Sequence, residues 1–219
     1  MIEFLDSIRP VEKDISISRK IINTIFILLL GLALGTFSKY LDYKQADLPG
    51  LLMDIDEALD LHNFLGEFSI WALLALCISI YSNSLARASL NVFVFFLAMV
   101  TSHYLYSNYV AGFFPKTYAM IWFAFTFLSP FLAYISRYAK GRGRWSFIIA
   151  SLILGVLFIM TFAFGQWYLD LVSVLDLPVF ILGLIVLRRD SLKDTILMVL
   201  SSIGLAIIIN NFFPFVRWK

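Results

Sequence analysis

The sequence predicts an all-α protein, a polytopic bundle of transmembrane helices, and two observations support that prediction. Of the 219 residues, 61% are hydrophobic and only 15% are charged, and the mean hydropathy is +0.87. Soluble domains carry about 25% charged residues. Apolar runs recur along the chain, and a run of about 18 residues or more can cross ~30 Å of hydrocarbon. The runs are continuous rather than alternating, which favours helices over a transmembrane barrel.

Seven spans follow from these runs, and they lie at about residues 21–41, 64–82, 89–108, 117–136, 146–166, 174–188 and 195–213. The sixth is the shortest and begins with Asp176 and Pro178, and a helix accepts proline in its first turn. Six spans with a re-entrant last segment is the alternative. The organisation is then a cytoplasmic leader (1–20), one transmembrane domain (21–213) and a short interfacial tail (214–219). The leader has no early apolar core, so no cleavable signal peptide is expected.

Lysine and arginine in the connections set the predicted orientation. With the N-terminus inside, the inner segments hold 12 of these residues and the outer segments hold 5. Cytoplasmic segments of membrane proteins carry the excess of positive charge. The N-terminus is therefore expected inside and the C-terminus outside.

The first outer connection, residues 43–63, differs from the others in being both acidic and partly apolar. Five of its residues recur at roughly helical spacing: Leu51, Leu52, Ile55, Leu59 and Leu61. This pattern predicts a short amphipathic helix on the outer surface, beginning after Pro49-Gly50. Such a helix is either a lid over an opening beneath it or a spacer resting on lipid headgroups.

A stripe of four residues runs down one face of the first span. Gly31, Gly35, Lys39 and Asp42 are spaced four, four and three residues apart. Two glycines at this spacing let another helix approach closely. We expect the partner to be a helix of the same chain, and a second subunit is the alternative.

Two further residues are expected to shape helix packing. Asn91 lies about one turn inside the third span and is expected to hydrogen-bond to a neighbouring helix. Pro130, which follows Ser129, removes one helix hydrogen bond and predicts a kink in the fourth span.

Polar side chains collect at the predicted outer ends of the spans, where ionisable groups are costly and therefore candidates for function. Together with two aromatic residues they form the predicted ligand-binding set: Lys39, Asp42, Glu67, His103, Tyr106, Lys116, Trp122, Gln166 and Asn210. An apolar pocket with a few placed polar groups is typical of ligand sites, and a Lys39–Glu67 pair is its simplest electrostatic bracket. An ordinary interfacial belt of aromatic side chains is the alternative.

Motifs for catalysis are missing from the sequence. It has no HExxH and only two histidines, His62 and His103, so no metal site is expected. Cys77 lies alone in an apolar run. There is no Gly-x-Ser-x-Gly elbow, no Walker motif and no block of basic residues. The sequence therefore predicts a protein that is not an enzyme, with no catalytic residue, no cofactor and no nucleic-acid partner; any ATP use would require another subunit.

Several short stretches within residues 20–165 form a recognisable set: Gly31-Leu-Ala-Leu-Gly35 with Lys39-Tyr-Leu-Asp42, Ile80-Tyr81-Ser82, Arg87-Ala-Ser-Leu-Asn91-Val-Phe, the Tyr104 region, Ser129-Pro130-Phe131 and Tyr138-Ala139-Lys140-Gly141. Together they resemble an uncharacterised family, a domain of unknown function, of small polytopic membrane proteins from Gram-positive bacteria. The resemblance implies a multi-pass protein of the bacterial plasma membrane and no particular activity.

A looser similarity links the chain to the substrate-binding membrane subunits of energy-coupling-factor vitamin transporters. Those subunits have a small-xxx-small motif in their first span and bind a ligand beneath a lid in the first loop; here Gly31, Gly35 and residues 43–63 occupy the corresponding places. They have six spans rather than seven. The expected function is binding or transport of a small, partly apolar molecule with partner subunits, one of them an ATPase. The alternative is a structural or accessory subunit of a cell-envelope complex.

Overall fold

The protein is almost entirely helical, as the sequence predicts. A computed structural model describes residues 8–9, 15–165 and 167–212, so that Gln166, the tail 214–219 and most of the leader lie outside the described residues. The helices are α1 Ile17–Lys44, α2 Gly50–Leu59, α3 Leu61–Gly66, α4 Ser69–Ile80, α5 Leu85–Tyr109, α6 Lys116–Arg137, α7 Gly143–Thr161, α8 Asp176–Leu187 and α9 Leu192–Phe212. Two 3-10 turns, Gln45–Asp47 and Tyr138–Lys140, and one antiparallel pair of strands, β1 Phe162–Phe164 and β2 Leu169–Leu171, complete the described elements.

Five of these helices, α1, α5, α6, α7 and α9, are long and apolar enough to cross a membrane. By length and composition the chain is therefore a multi-pass membrane protein. The two remaining apolar helices, α4 and α8, have 12 residues each. A helix of that length extends ~18 Å, which is less than the ~30 Å of a hydrocarbon core.

Two predicted spans differ from the observed elements. The span predicted over 64–82 is interrupted, because α3 ends at Gly66, the chain bends at Glu67 and Phe68, and α4 begins at Ser69. The helical continuation predicted to residue 166 is wrong. α7 ends at Thr161, where the backbone becomes extended and pairs Phe162 with Leu171. Hydropathy is equally high in an apolar strand and an apolar helix, so it could not locate this change.

The helix expected after Pro49-Gly50 is present as α2. It ends at Asp60, whose left-handed backbone (φ 53°) turns the chain into α3. Asp56 is buried, and its carboxylate accepts from the His62 amide and contacts the His62 Nδ1 atom, both at 2.8 Å. Leu51 on the same helix is 77% exposed. The turn between α2 and α3 is thus fixed by its acidic residues, while an apolar side chain faces outward.

The described chain divides into two compact units, named here after their central helices. The α5 unit contains residues 15–66 and 81–134, and the α7 unit contains residues 8–9, 67–80 and 135–212. In the α7 unit, α7 packs against α8 and α9, and α4 packs against α8. Four phenylalanine rings form the aromatic part of its core: Phe158, Phe162, Phe164 and Phe180.

In the α5 unit, α1 packs along α5 through its glycines. A Cβ atom at Gly31 would lie 2.6 Å from the Phe95 carbonyl oxygen, so only glycine allows this separation. A polar contact joins the same two helices nearer their other ends. The Thr24 hydroxyl donates to Asn91 Oδ1 (3.0 Å) and accepts from the Arg87 guanidinium (2.6 Å). In a bilayer such interhelical hydrogen bonds satisfy groups that lipid cannot.

Helix α6 continues through Pro130. This proline leaves one carbonyl of the helix without its usual donor, and a neighbouring side chain of α6 replaces that donor. A proline at position 130 cannot donate to the carbonyl of Thr126. The Ser129 hydroxyl donates to that oxygen instead, at 2.8 Å. The Pro130 carbonyl accepts from the Ser89 hydroxyl of α5 at 2.9 Å. The residue that disrupts α6 therefore also connects it to α5.

Candidate functional site

The α5 unit contains a polar cluster of Lys39, Asp42 and His103, formed between the C-terminal parts of α1 and α5. Lys39 and Asp42 are three residues apart on α1, which places them on one helical face, and their side chains form an ion pair. Lys39 is largely buried, with 13% of its side chain exposed, whereas Asp42 is 48% exposed. The ammonium thus lies inside and the carboxylate lies at the edge.

His103 completes the polar cluster from α5. Its ring lies within electrostatic range of Lys39 and Asp42 and faces the backbone carbonyl of Gly35. That approach depends on Gly35, because the α5 backbone at Met99 occupies the space that a side chain there would need. The glycines therefore do more than pack two helices, since they bring an imidazole to the charged end of α1.

Aromatic rings surround the polar cluster. Tyr104 packs edge-on against the His103 ring, with centroids 5.0 Å apart, and stacks on Phe123 at 6.3 Å. Tyr43 of α1 meets Tyr106 of α5 edge-on at 6.4 Å. An ammonium and an imidazole supply hydrogen-bond donors, and the imidazole can also accept. Beside apolar rings, this set suits a small molecule with one anionic end and an apolar body.

The other residues of the predicted ligand-binding set lie elsewhere. Lys116 is exposed at the first position of α6, and the Trp122 ring packs 6.5 Å from that of Phe125. Asn210 is half-buried near the end of α9 in the α7 unit. Gln166 lies outside the described residues. The structure thus unites Lys39, Asp42 and His103, with Tyr106 beside Tyr43.

Glu67 belongs to the α7 unit, where its carboxyl group lies beside that of Asp176. Asp176 is fully buried at the start of α8 and accepts a hydrogen bond of 2.5 Å from the hydroxyl of Ser69. In the sequence, Asp176 marks only the start of the shortest predicted span. An acid at the start of an apolar helix looks like an N-terminal charge that favours the helix dipole, and nothing in the sequence alone indicates its burial.

Comparisons with protein-family models, with curated proteins and with solved structures found no match. The function is therefore inferred from the residues of the chain itself. Among the described residues, no group of three or more histidine, cysteine, aspartate or glutamate side chains is arranged to hold a metal ion.

Proposed function

We propose that the chain is a membrane component that binds or transports a small, partly apolar anion or zwitterion, together with partner subunits that supply energy. The observation that supports it is the polar cluster: a largely buried ammonium and an imidazole among aromatic rings, at the end of two long apolar helices. Ionisable groups in such places are costly and are retained where they act on a ligand or an ion. A ligand carboxylate would replace Asp42 as the partner of Lys39.

The proposed setting is the plasma membrane of a bacterium, as the resemblance noted above implies. We propose seven spans, in which α3 with α4, and α8, cross together with the five long helices. The N-terminus would lie inside and the C-terminus outside, in keeping with the distribution of lysine and arginine. The polar cluster and α2 would then lie toward the outer surface, with α2 as a lid or as a spacer on the headgroups.

Cysteine labelling in intact cells tests this topology. In a background where Cys77 is replaced by alanine, we expect cysteines at Asp54 and Tyr109 to react with a membrane-impermeant maleimide. Cysteines at Arg144 and Lys193 should react only after the cells are opened, because both lie in the basic inner segments. Labelling of Arg144→Cys in intact cells would contradict the proposed orientation.

Ligand binding at the polar cluster is tested by thermal shift in detergent, using a panel of vitamins and small carboxylates. We expect at least one compound to raise the melting temperature, since a ligand at 100 times its Kd stabilises the folded state by about 2.7 kcal/mol. Lys39→Ala should abolish that rise, because it removes the buried ammonium.

The matched control is Lys116→Ala, which removes an exposed lysine from the start of α6 and should keep the rise. If no compound shifts the melting temperature, or if Lys39→Ala retains the shift, the binding proposal is wrong. Purification in mild detergent addresses the alternative. A stoichiometric ATPase partner supports transport, and an envelope enzyme or sensor supports an accessory subunit.

A further inference from the structure

The N-termini of the two short apolar helices of the α7 unit meet at one carboxyl group. Ser69 is the first residue of α4 and Asp176 is the first residue of α8, and the Ser69 hydroxyl donates to Asp176 Oδ1 at 2.5 Å. The hydroxyl of Thr161, at the end of α7, donates to the Asp176 backbone carbonyl at 3.3 Å. Asp176 is 0% exposed and Ser69 is 2% exposed. The carboxyl group is therefore held by the Ser69 hydroxyl of α4, while Thr161 of α7 holds the Asp176 backbone, and the carboxyl group is shielded from water.

The second oxygen of this carboxyl group lacks a donor. Among the described residues, Asp176 Oδ2 has no hydrogen-bond partner. The Glu67 carboxyl lies beside Asp176, and a carboxylate has no proton to donate. A buried charge without hydrogen bonds is strongly unfavourable, and two adjacent carboxylates that share a site do not both remain ionised. The positive ends of two helix dipoles stabilise one negative charge here.

We propose that Glu67 and Asp176 bind one proton between them, carried by Glu67 and donated to Oδ2 of Asp176. The proton joins two groups that would otherwise repel, supplies the missing donor and leaves the pair with a single negative charge. This proton site goes beyond the proposed function, because it lies in the other unit and requires no ligand at the polar cluster. Buried carboxyl groups that exchange a proton are the relays of many pumps and transporters.

Other elements also bring polar groups toward the pair. From α7, the Thr161 hydroxyl contacts the Asp176 backbone and is not titratable at neutral pH. The preceding hairpin contributes Asp170, which is exposed and accepts from the Leu171 amide at 2.9 Å. Among the described residues, no ion pair with Asp176 is formed. Glu67, whose carboxyl group lies beside that of Asp176, can complete its hydrogen bonding when it carries a proton.

Infrared spectroscopy of the full chain in liposomes tests for the proton directly, because a protonated carboxyl group has a C=O stretch that a carboxylate lacks. We expect the wild type at neutral pH to show this band, with an isotope shift when glutamate is labelled with carbon-13. Glu67→Gln and Asp176→Asn should each remove it, since the remaining acid can then ionise beside a neutral amide. Asp170→Asn, the matched control on the exposed hairpin, should keep it.

Unfolding experiments test the same proton by linkage. If the folded chain holds one proton more than the unfolded chain, stability decreases as pH rises through its release. The folding equilibrium constant should then fall by up to roughly tenfold per pH unit over that range. In Glu67→Gln and Asp176→Asn this part of the dependence should vanish, because the amides reproduce the hydrogen bonds without a titrating proton.

Two results would overturn the proposal. One is a wild-type protein without the protonated-carboxyl band at neutral pH, or with a band that survives in both amide variants. The other is a melting temperature that changes when sodium chloride replaces choline chloride but does not change with pH. That result would assign a metal cation, instead of a proton, to the pair. Because neither measurement uses a ligand, failure here is distinguishable from failure of the binding proposal.

Discussion

Replacing Gly35 with alanine should destabilise the protein by about 1–3 kcal/mol, the usual cost of overpacking a well-packed core. A Cβ atom at Gly35 would overlap the carbonyl oxygen of Met99 and the hydroxyl of Ser102 on α5. The Met99 atoms belong to the backbone of a long helix, so a rotamer change cannot relieve the overlap. We expect α1 and α5 to separate, which a lower melting temperature in detergent and an earlier midpoint in denaturant titration would measure.

The same substitution should also weaken the polar cluster. His103 faces the Gly35 carbonyl and lies near Lys39, so separation of the two helices moves the imidazole away from the ammonium. Any ligand-induced rise in melting temperature should therefore be smaller in Gly35→Ala than in the wild type. Direct measurement of ligand binding at a temperature well below melting then distinguishes a local change in the site from general instability.

Gly204→Ala is the matched control for Gly35→Ala. Gly204 lies within α9, and a Cβ atom there would meet no other heavy atom within 4 Å. Alanine favours a helix over glycine by about 1 kcal/mol, so this variant should be neutral or slightly stabilised. If Gly35→Ala proved as stable as Gly204→Ala, the close contact between α1 and α5 would be wrong.

The long helices and the short helix α2 could be predicted from the sequence because their signals are local. Hydropathy measures the transfer of a segment into lipid, and it located the runs that became α1, α5, α6, α7 and α9. The spacing of Gly31, Gly35, Lys39 and Asp42 likewise placed them on one face without knowledge of the partner helix. What the spacing could not specify was that α5 would be that partner and that His103 would complete the cluster.

The features that were missed depend on neighbours distant in the chain. Lys39 was expected to pair with Glu67 because both were assigned to the same level of the membrane; in the structure Lys39 pairs with Asp42 and Glu67 lies beside Asp176. Choosing among the acids requires the three-dimensional arrangement, since charge alone treats them equally. Hydropathy also could not show that Ser129 would satisfy the carbonyl of Thr126.

The basic residues of the connections predicted to lie inside show the same limit. In the sequence they are signals for orientation, but in the α7 unit several donate to backbone carbonyls. Arg9 donates to the carbonyls of Ile80 (2.8 Å) and Arg137 (3.0 Å), and Lys140 donates to that of Arg188 (2.6 Å). Carbonyls at the ends of helices lack helical donors, and basic side chains are favourable partners for them. These cations therefore stabilise turns, whatever they contribute to orientation.

Arg189→Ala should clearly destabilise the protein, because this side chain makes three hydrogen bonds. The Arg189 guanidinium donates to the Ala139 carbonyl (3.0 Å), the Ser146 hydroxyl (2.9 Å) and the Gly141 carbonyl (3.3 Å). Hydrogen bonds to charged groups contribute about 1.5–3 kcal/mol each. Because Arg189 is only half-buried, water recovers part of this, and we expect a loss of about 2–4 kcal/mol in the free energy of unfolding. Denaturant titration in detergent measures it.

Lys193→Ala separates this structural role from the role of charge in orientation. Lys193 is exposed and belongs to the same connection, so both variants remove one positive charge from a segment predicted to lie inside, and neither reverses the predicted excess of 12 over 5. Only Arg189→Ala also removes donors from the turn. Arg189→Lys should fall between them, since an ammonium cannot reproduce the planar fork of a guanidinium. Equal stability of Arg189→Ala and Lys193→Ala would contradict a structural role for Arg189, whereas the expected difference would show that a residue counted as an orientation signal also holds a turn of the fold.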